Sequence, residues 1–319
     1  MAGSRGAAWA RAGSALAARP TAGQLLPITL PWRRNRRNWS PQPSAWVGLL
    51  LATPFLLMLI FYVIYPFIRL VQTALGDPGG WSNVGFFFSN TANVFVVQIT
   101  FRDAAIVTLI DVVAGGVMAW ALRSARSRLM RFALLSAIFV PFWMGSVVKI
   151  YAFTALLGRA GVINTLLLNL HLTNEPLHLL YTQPAVVAGM VYQMLPLAVL
   201  PMYVAFSSID TDLIIAAEGL GASRARALLD VVLPLAVPGI FATLVINFVL
   251  ALGFYLTPVL LGGLTSPFTA TLIQQDLFAY SDFADASIGG LMLLAGGIAS
   301  VTLGYFLVGK ERLRRAISA

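Results

Sequence analysis

Six long apolar stretches decide what this chain can fold into. They run near 46–68, 104–122, 132–156, 185–206, 240–262 and 287–309. Each is close to the ~20 residues that an α-helix needs to cross about 30 Å of hydrocarbon. Inside hydrocarbon every backbone N–H and C=O must find its partner within the chain, so such stretches fold as helices. Composition agrees: 59% of the 319 residues are hydrophobic and 10% charged, and the mean hydropathy is +0.83, beyond the range of soluble domains. The expected fold is an all-α integral membrane protein, a bundle of six transmembrane helices forming one domain over 45–312.

Charge sets the expected orientation. Residues 1–44 carry Arg5, Arg11, Arg19, Arg33, Arg34, Arg36 and Arg37, and the first acid is Asp77. An Arg-rich, acid-free start can mimic an organelle transit peptide; a disordered cytoplasmic tail against anionic lipid is the simpler reading. Arg123, Arg126, Arg128 and Arg131 follow the second span, Arg224 and Arg226 the fourth, and Lys310, Arg312, Arg314 and Arg315 the sixth. The other side has only Arg69, Arg102, Lys149 and Arg159. The positive-inside rule then places both termini, with the short tail 313–319, on the cytoplasmic side of a multi-pass membrane protein. The net charge of +9 is explained by this arginine excess and needs no nucleic acid.

Between the fourth and fifth spans, residues 209–240 are too polar and too punctuated to cross. They read as two short helices around a glycine hinge. Asp210 and Thr211 are N-cap candidates for the first, which Gly219 and Gly221 end. Ser223 caps the second, which passes Leu228, Leu229, Val231 and Val232 and stops at Pro234. A bent helical pair of this kind suits insertion into a partner's groove.

Polar residues inside spans are the candidates for a solute path: Asp111, Lys149, Tyr192, Gln193, Asn247, Tyr255 and Thr257. A charge at mid-membrane costs at least about 2.5–3.5 kcal/mol, so Asp111 is expected to face the bundle interior, binding a cationic solute or a neighbouring helix. Lys149 is expected to snorkel. The others line a cavity or join helices by hydrogen bonds. Ala114-Gly115-Gly116, Gly289-Gly290 and Gly296-Gly297 read as close helix approaches, and Pro54, Pro66, Pro141, Pro196 and Pro258 as kinks. On the outer side, 69–102 and 157–184 suit short interfacial helices. Asp276, Asp282 and Asp285 form either a solvated loop or a mouth that attracts cations.

Several chemistries are excluded. Cysteine is absent, so there are no disulfides or thiolate sites. The two histidines, His171 and His178, lack supporting acids for a metal, and no nucleophile–base pattern stands out. There is no phosphate-binding GxxxxGK[ST] loop, so transport energy must come from a partner or an ion gradient. For an ion-coupled transporter the chain offers only Asp111 deep in a span.

Leu213, Ala216-Ala217, Leu220-Gly221-Ala222-Ser223, Val232-Leu233-Pro234 and Pro238-Gly239 together resemble the EAA loop, the cytoplasmic coupling loop of ATP-binding-cassette (ABC) importer permeases. Pro141-Phe142-Trp143 through Tyr151, Leu156 to Asn164, Gly189 to Tyr192 with Leu195-Pro196, Leu200 to Tyr203, and Leu252-Gly253 with Thr257-Pro258 and Leu261 to Gly263 are similar to the spermidine/putrescine-type branch. Ile215 stands where the family usually has glutamate; Glu218, on the same face, can supply the charge.

The resemblance implies a six-helix MetI-like (type I) permease bundle that catalyses nothing itself. It implies a second homologous permease subunit, an ATPase dimer and a periplasmic or extracellular solute-binding protein as partners in the lipid bilayer. ATP and Mg²⁺ would bind the ATPase, leaving this chain without a cofactor. Leu213, Ile215, Ala216, Ala217, Glu218, Gly221, Ala222 and Ser223 would carry the ATPase coupling, and alternating access would move the solute. A polyamine or similar cation is the implied cargo; opine, iron, thiamine and phosphonate importers share much of the pattern.

Overall fold

The computed structural model describes residues 45–76, 79–263 and 266–308. The Arg-rich stretch 1–44 and the basic residues from Lys310 onward lie outside the described residues. The chain divides into two compact units at Tyr62. Of the first, the described residues form the opening part of helix α1 (Ala45–Ala74). Nearly all of its side chains from Trp46 to Tyr62 are exposed and apolar, a surface that suits lipid and not water.

The second unit starts at Val63 and is all-helical among the described residues. After α1 come α2 (Trp81–Ser89), α3 (Thr91–Ser124), α4 (Arg128–Trp143), α5 (Ser146–Leu157), α6 (Val162–Asn169), α7 (Gln183–Ser207), α8 (Thr211–Gly219), α9 (Arg224–Ala227), α10 (Leu233–Leu252), α11 (Thr269–Gln275) and α12 (Phe283–Val308). Side-chain caps fix several starts: Asn90 accepts from the Ala92 amide at α3 and Ser127 from the Met130 amide at α4, each removing an orphan donor.

The core is α3 laid against α7 and α10, with α12 packed on α10. Where α3 crosses α7 a Cβ on Gly115 would stand 2.9 Å from the Ala198 Cβ, so the expected close approach is real and needs hydrogen at that position. One core cluster joins Val107, Met190, Met194, Ala251, Leu252 and Leu261. A second joins Ala119, Val199, Met202, Phe206, Ile209, Val232 and Ala236 toward the end of the bundle that carries α8 and α9.

At the opposite end polar residues tie the helices. Thr100 Oγ1 accepts from the Thr269 amide at 2.8 Å, Gln183 Nε2 donates to the buried Asp103 carboxylate, and Asn93 Nδ2 donates to Asp285 at 3.4 Å. Short helices form within 69–102 and 157–184, as α2 and α6. Buried Asn164 pins the segment after α6. Its Nδ2 donates to the carbonyls of Gly158 and Leu177, both at 3.0 Å, and its Oδ1 accepts from the Leu177 amide at 2.8 Å.

Six helical segments are long and apolar enough to cross a membrane, but three boundaries differ from expectation. The second runs Thr91–Ser124, 34 residues against the expected 104–122, because its polar first turns are buried against α2 and α11 and not left in a loop. The third, expected unbroken over 132–156, breaks at Met144-Gly145, where Pro141 and an extended Met144 interrupt the ladder, and the segment that qualifies is Ser146–Asn169, α5 together with α6. The fifth does not begin at 240: α9, a π-helical turn Leu228–Val232 and α10 form one continuous helix from Arg224 to Leu252. Pro234 therefore does not stop the second short helix. It follows directly on the π-helical turn, where the Leu233 amide bonds back to the Leu228 carbonyl and the altered ladder carries the helix past the proline.

Candidate functional site

The elbow between α7 and α10 forms as the residues dictate. Asp210 caps α8, its side chain accepting from the Asp212 amide at 3.0 Å, and Ser223 caps α9, accepting from the Arg226 amide at 3.3 Å. The helix ends at Gly219, as expected, and the chain turns at Gly221, whose φ of +93° is left-handed. The Gly221 amide bonds back to the Glu218 carbonyl and the Ala222 amide to that of Ala217, both at 3.0 Å, the paired closure of a Schellman end.

The elbow has two faces. Ile214 and Leu228 pack on the core cluster with Ile209 and Val232, while Ala227 is buried. Outward it presents Leu213, Ile215 and the tip, Leu220, which is 91% exposed. Ala216 and Ser223 are exposed beside them, and Ala217 and Ala222 are half-buried at the hinge. Glu218 lies 3.7 Å from Arg224 across the hinge, both on the surface. Its charge is thus engaged inside the elbow.

The seven polar residues expected inside the spans divide into separate settings. Asp111 and Asn247 are fully buried on α3 and α10, which pack together. Both Asp111 carboxylate oxygens, Asn247 Oδ1 and Thr108 Oγ1 lack a hydrogen-bond partner among the described residues. Asn247 Nδ2 is used locally, on the Thr243 carbonyl at 3.0 Å. Gln193 Nε2 donates to Thr257 Oγ1 at 2.5 Å and joins α7 to the turn before Pro258, with Tyr192 beside it tilted at 51° against Phe153, ring centroids 5.3 Å apart. Lys149 does not snorkel: it is buried on α5, and no hydrogen bond or ion pair holds its ammonium among the described residues. Tyr255 lines an open cleft of about 560 Å³ with Ile273, Gln274, Leu277 and Phe278.

The acids at the far end are not a simple solvated loop. Asp276 opens a π-helical turn and is buried, Asp282 is exposed, and Asp285 starts α12 and accepts from Asn93. Burial, and then the charges of Asp285 and Asp282, push Asp276 up to about 6.

Residues 111–310, more than half of the chain, match the family described as binding-protein-dependent transport system inner membrane component. The chain belongs to this family. The permease is 30% identical over 252 residues to the spermidine/putrescine transport system permease protein PotB of Salmonella typhimurium (strain SL1344), a match covering 74% of this chain and 88% of that relative. It is 32% identical over 235 residues to the inner membrane ABC transporter permease protein YdcU of Escherichia coli (strain K12), covering 69% and 73% of the two chains. Its fold is similar, with a TM-score of 0.75 at 17% identity, to a chain in the crystal structure of a bacterial alginate ABC transporter in complex with alginate pentasaccharide-bound periplasmic protein; the match covers 86% of this chain and 98% of that one. The permease is a non-catalytic membrane subunit of an ABC importer.

Three residues of the permease take roles that sequence reading missed. Arg123, counted only as a positive-inside charge, reaches the carbonyls of Phe206 and Ile209. Asp103, in what reads as an outer loop, is buried between Arg102 and Gln183. Leu220 forms the exposed tip of the elbow. Its place beside a hinge glycine was the available signal for the last; nothing in the spacing marks the first two.

Proposed function

We propose that the permease forms half of the path by which a polyamine or similar small cation enters a bacterial cell. A second homologous permease subunit forms the other half, two ATPase subunits sit beneath, and a soluble binding protein delivers the solute. The observation that carries this reading is the elbow. Leu213, Ile215 and Leu220 stand out from a doubly capped turn whose other face is anchored in the core. An apolar tip held out on a rigid anchor suits a partner's groove, and α8 to α10 connect it to a span without a flexible joint on the α10 side. In this reading the elbow and both termini face the cytoplasm, with Arg126, Arg128, Arg131, Arg224 and Arg226 at that surface. ATP and Mg²⁺ are held by the ATPase, and the permease itself binds no cofactor. Closure of the ATPase pair pushes α8 and α9, and the attached spans rotate to alternate access.

Two observations support a cationic cargo. Asp111, Thr108 and Asn247 offer buried oxygens without donors, which ammonium groups can fill. Asp276, Asp282 and Asp285 put acids at the opposite mouth. A second reading is favoured by Lys149, whose buried ammonium suits a solute bearing a carboxylate or phosphonate, as in opine-type import. The deciding experiment reconstitutes the permease pair, ATPase and binding protein in liposomes. Spermidine or putrescine is expected to stimulate ATP hydrolysis and to accumulate inside. Stimulation by a carboxylate solute alone would replace the polyamine reading with the second, and uptake with no ATPase present would overturn the importer mechanism.

A further inference from the structure

The two residues that precede the elbow are held from outside their own helix. α7 ends at Ser207, and a helix end leaves its last carbonyls without intrahelical donors. Arg123, in the last turn of α3, donates to the Phe206 carbonyl and, at 2.8 Å, to that of Ile209. Ile209 immediately precedes Asp210, the cap of α8. The guanidinium also lies 5.6 Å over the Trp120 ring, and Trp120 meets Phe206 edge-to-face at 6.0 Å. A planar fork that spans two carbonyls while stacked on an indole is a task for arginine, since lysine offers one ammonium and no plane. α3 is thereby joined to the chain at the point where α7 gives way to the elbow. Apart from that join, the α7 side is linked by the Ser208-Ile209 backbone and by the apolar packing of Ile209 and Ile214 on the cluster around Phe206, which carries no directional hold.

We propose that Arg123 is a positioning residue for coupling: it braces the start of the elbow against α3, so that elbow displacement moves α3 and α7 together instead of bending the Ser208-Ile209 link. This rests on the reading that the elbow meets an ATPase, and the test separates the two. A cysteine at Leu220 is first cross-linked to the co-purified ATPase; absence of an adduct defeats the coupling reading whatever Arg123 does. With the adduct established, solute taken up per ATP hydrolysed is measured in reconstituted complexes. Arg123→Gln is expected to lower that ratio at least about fivefold, with Arg123→Lys between it and the native protein. An unchanged ratio in an assembled Arg123→Gln complex overturns the proposal while leaving the coupling reading intact. Should Arg123→Gln fail to assemble, spin labels at the exposed Ser124 and Ser208 of the otherwise native complex decide. A separation constant to within about 2 Å between nucleotide-free and ATP-trapped states supports the brace, and any larger change refutes it.

Discussion

At Gly221 no atom stands within 4 Å of where a Cβ would be built, so room is not what keeps the position glycine. The backbone is: at φ +93° an L-residue is strained by about 1–2 kcal/mol. That strain falls on the hinge turn, whose residues Leu220 to Ser223 belong to none of the core clusters. Gly221→Ala is therefore expected to reduce uptake while the melting temperature of the purified permease hardly moves; a large drop in melting temperature with normal uptake would contradict this. Asp276 gives a pH test. Its folded value of about 6 lies above the ordinary carboxylate value of about 4. The folded protein therefore holds a proton that the unfolded chain releases in that window. Stability from this group is full below about pH 4, falls as pH rises to about 6 and is flat beyond. Asp276→Asn is expected to remove the slope and to raise the melting temperature at pH 7, as thermal melts across that range would measure.

Among the elements, the α3–α7 contact leaves no room for a side chain at its crossing. At Gly115 the neighbour is the Ala198 Cβ with backbone behind it, whereas one residue on, at Gly116, it is only the flexible Met202 Cε. Gly115→Leu is expected to force the two helices apart at about 1–3 kcal/mol or more, with loss of monodisperse protein in detergent, while Gly116→Ala is accommodated by a rotamer change. Chromatography of the two variants checks the contrast. Packing also decides what proline does. α7 stays continuous through Pro196 and Pro201 because it lies between α3 and α10 with Pro196 buried. Pro141 lies near the end of α4, the helix ladder stops two residues later, and α5 starts afresh. Residue type alone does not distinguish these cases.

For the molecule as a whole, the two ends of the bundle carry opposite chemistry. One has Arg123, Arg126, Arg128, Arg131, Arg224 and Arg226 around the elbow; the other has Asp276, Asp282 and Asp285. Single cysteines at Leu220 and Asp282, both exposed, are expected to be labelled from opposite sides of sealed membranes, Leu220 only when the cytoplasmic side is opened. Labelling of Leu220 from intact cells would reverse the orientation and separate the elbow from any cytoplasmic ATPase.

Hydropathy, caps and glycine placement were sufficient for the helical class, the number of crossing segments and the hinged elbow, because each depends on neighbours within a few residues: about 20 apolar side chains for a span, Asp210 and Ser223 for the caps, Gly221 for the turn. What the tertiary structure alone decided depends on residues far apart in the chain. The burial of Lys149 with no partner among the described residues, the pairing of Gln193 with Thr257 across 64 positions and the grip of Arg123 on Ile209 across 86 all follow from which helices lie side by side. No local pattern encodes that, since an arginine at a helix end reads the same whether it faces water or holds the next helix in place.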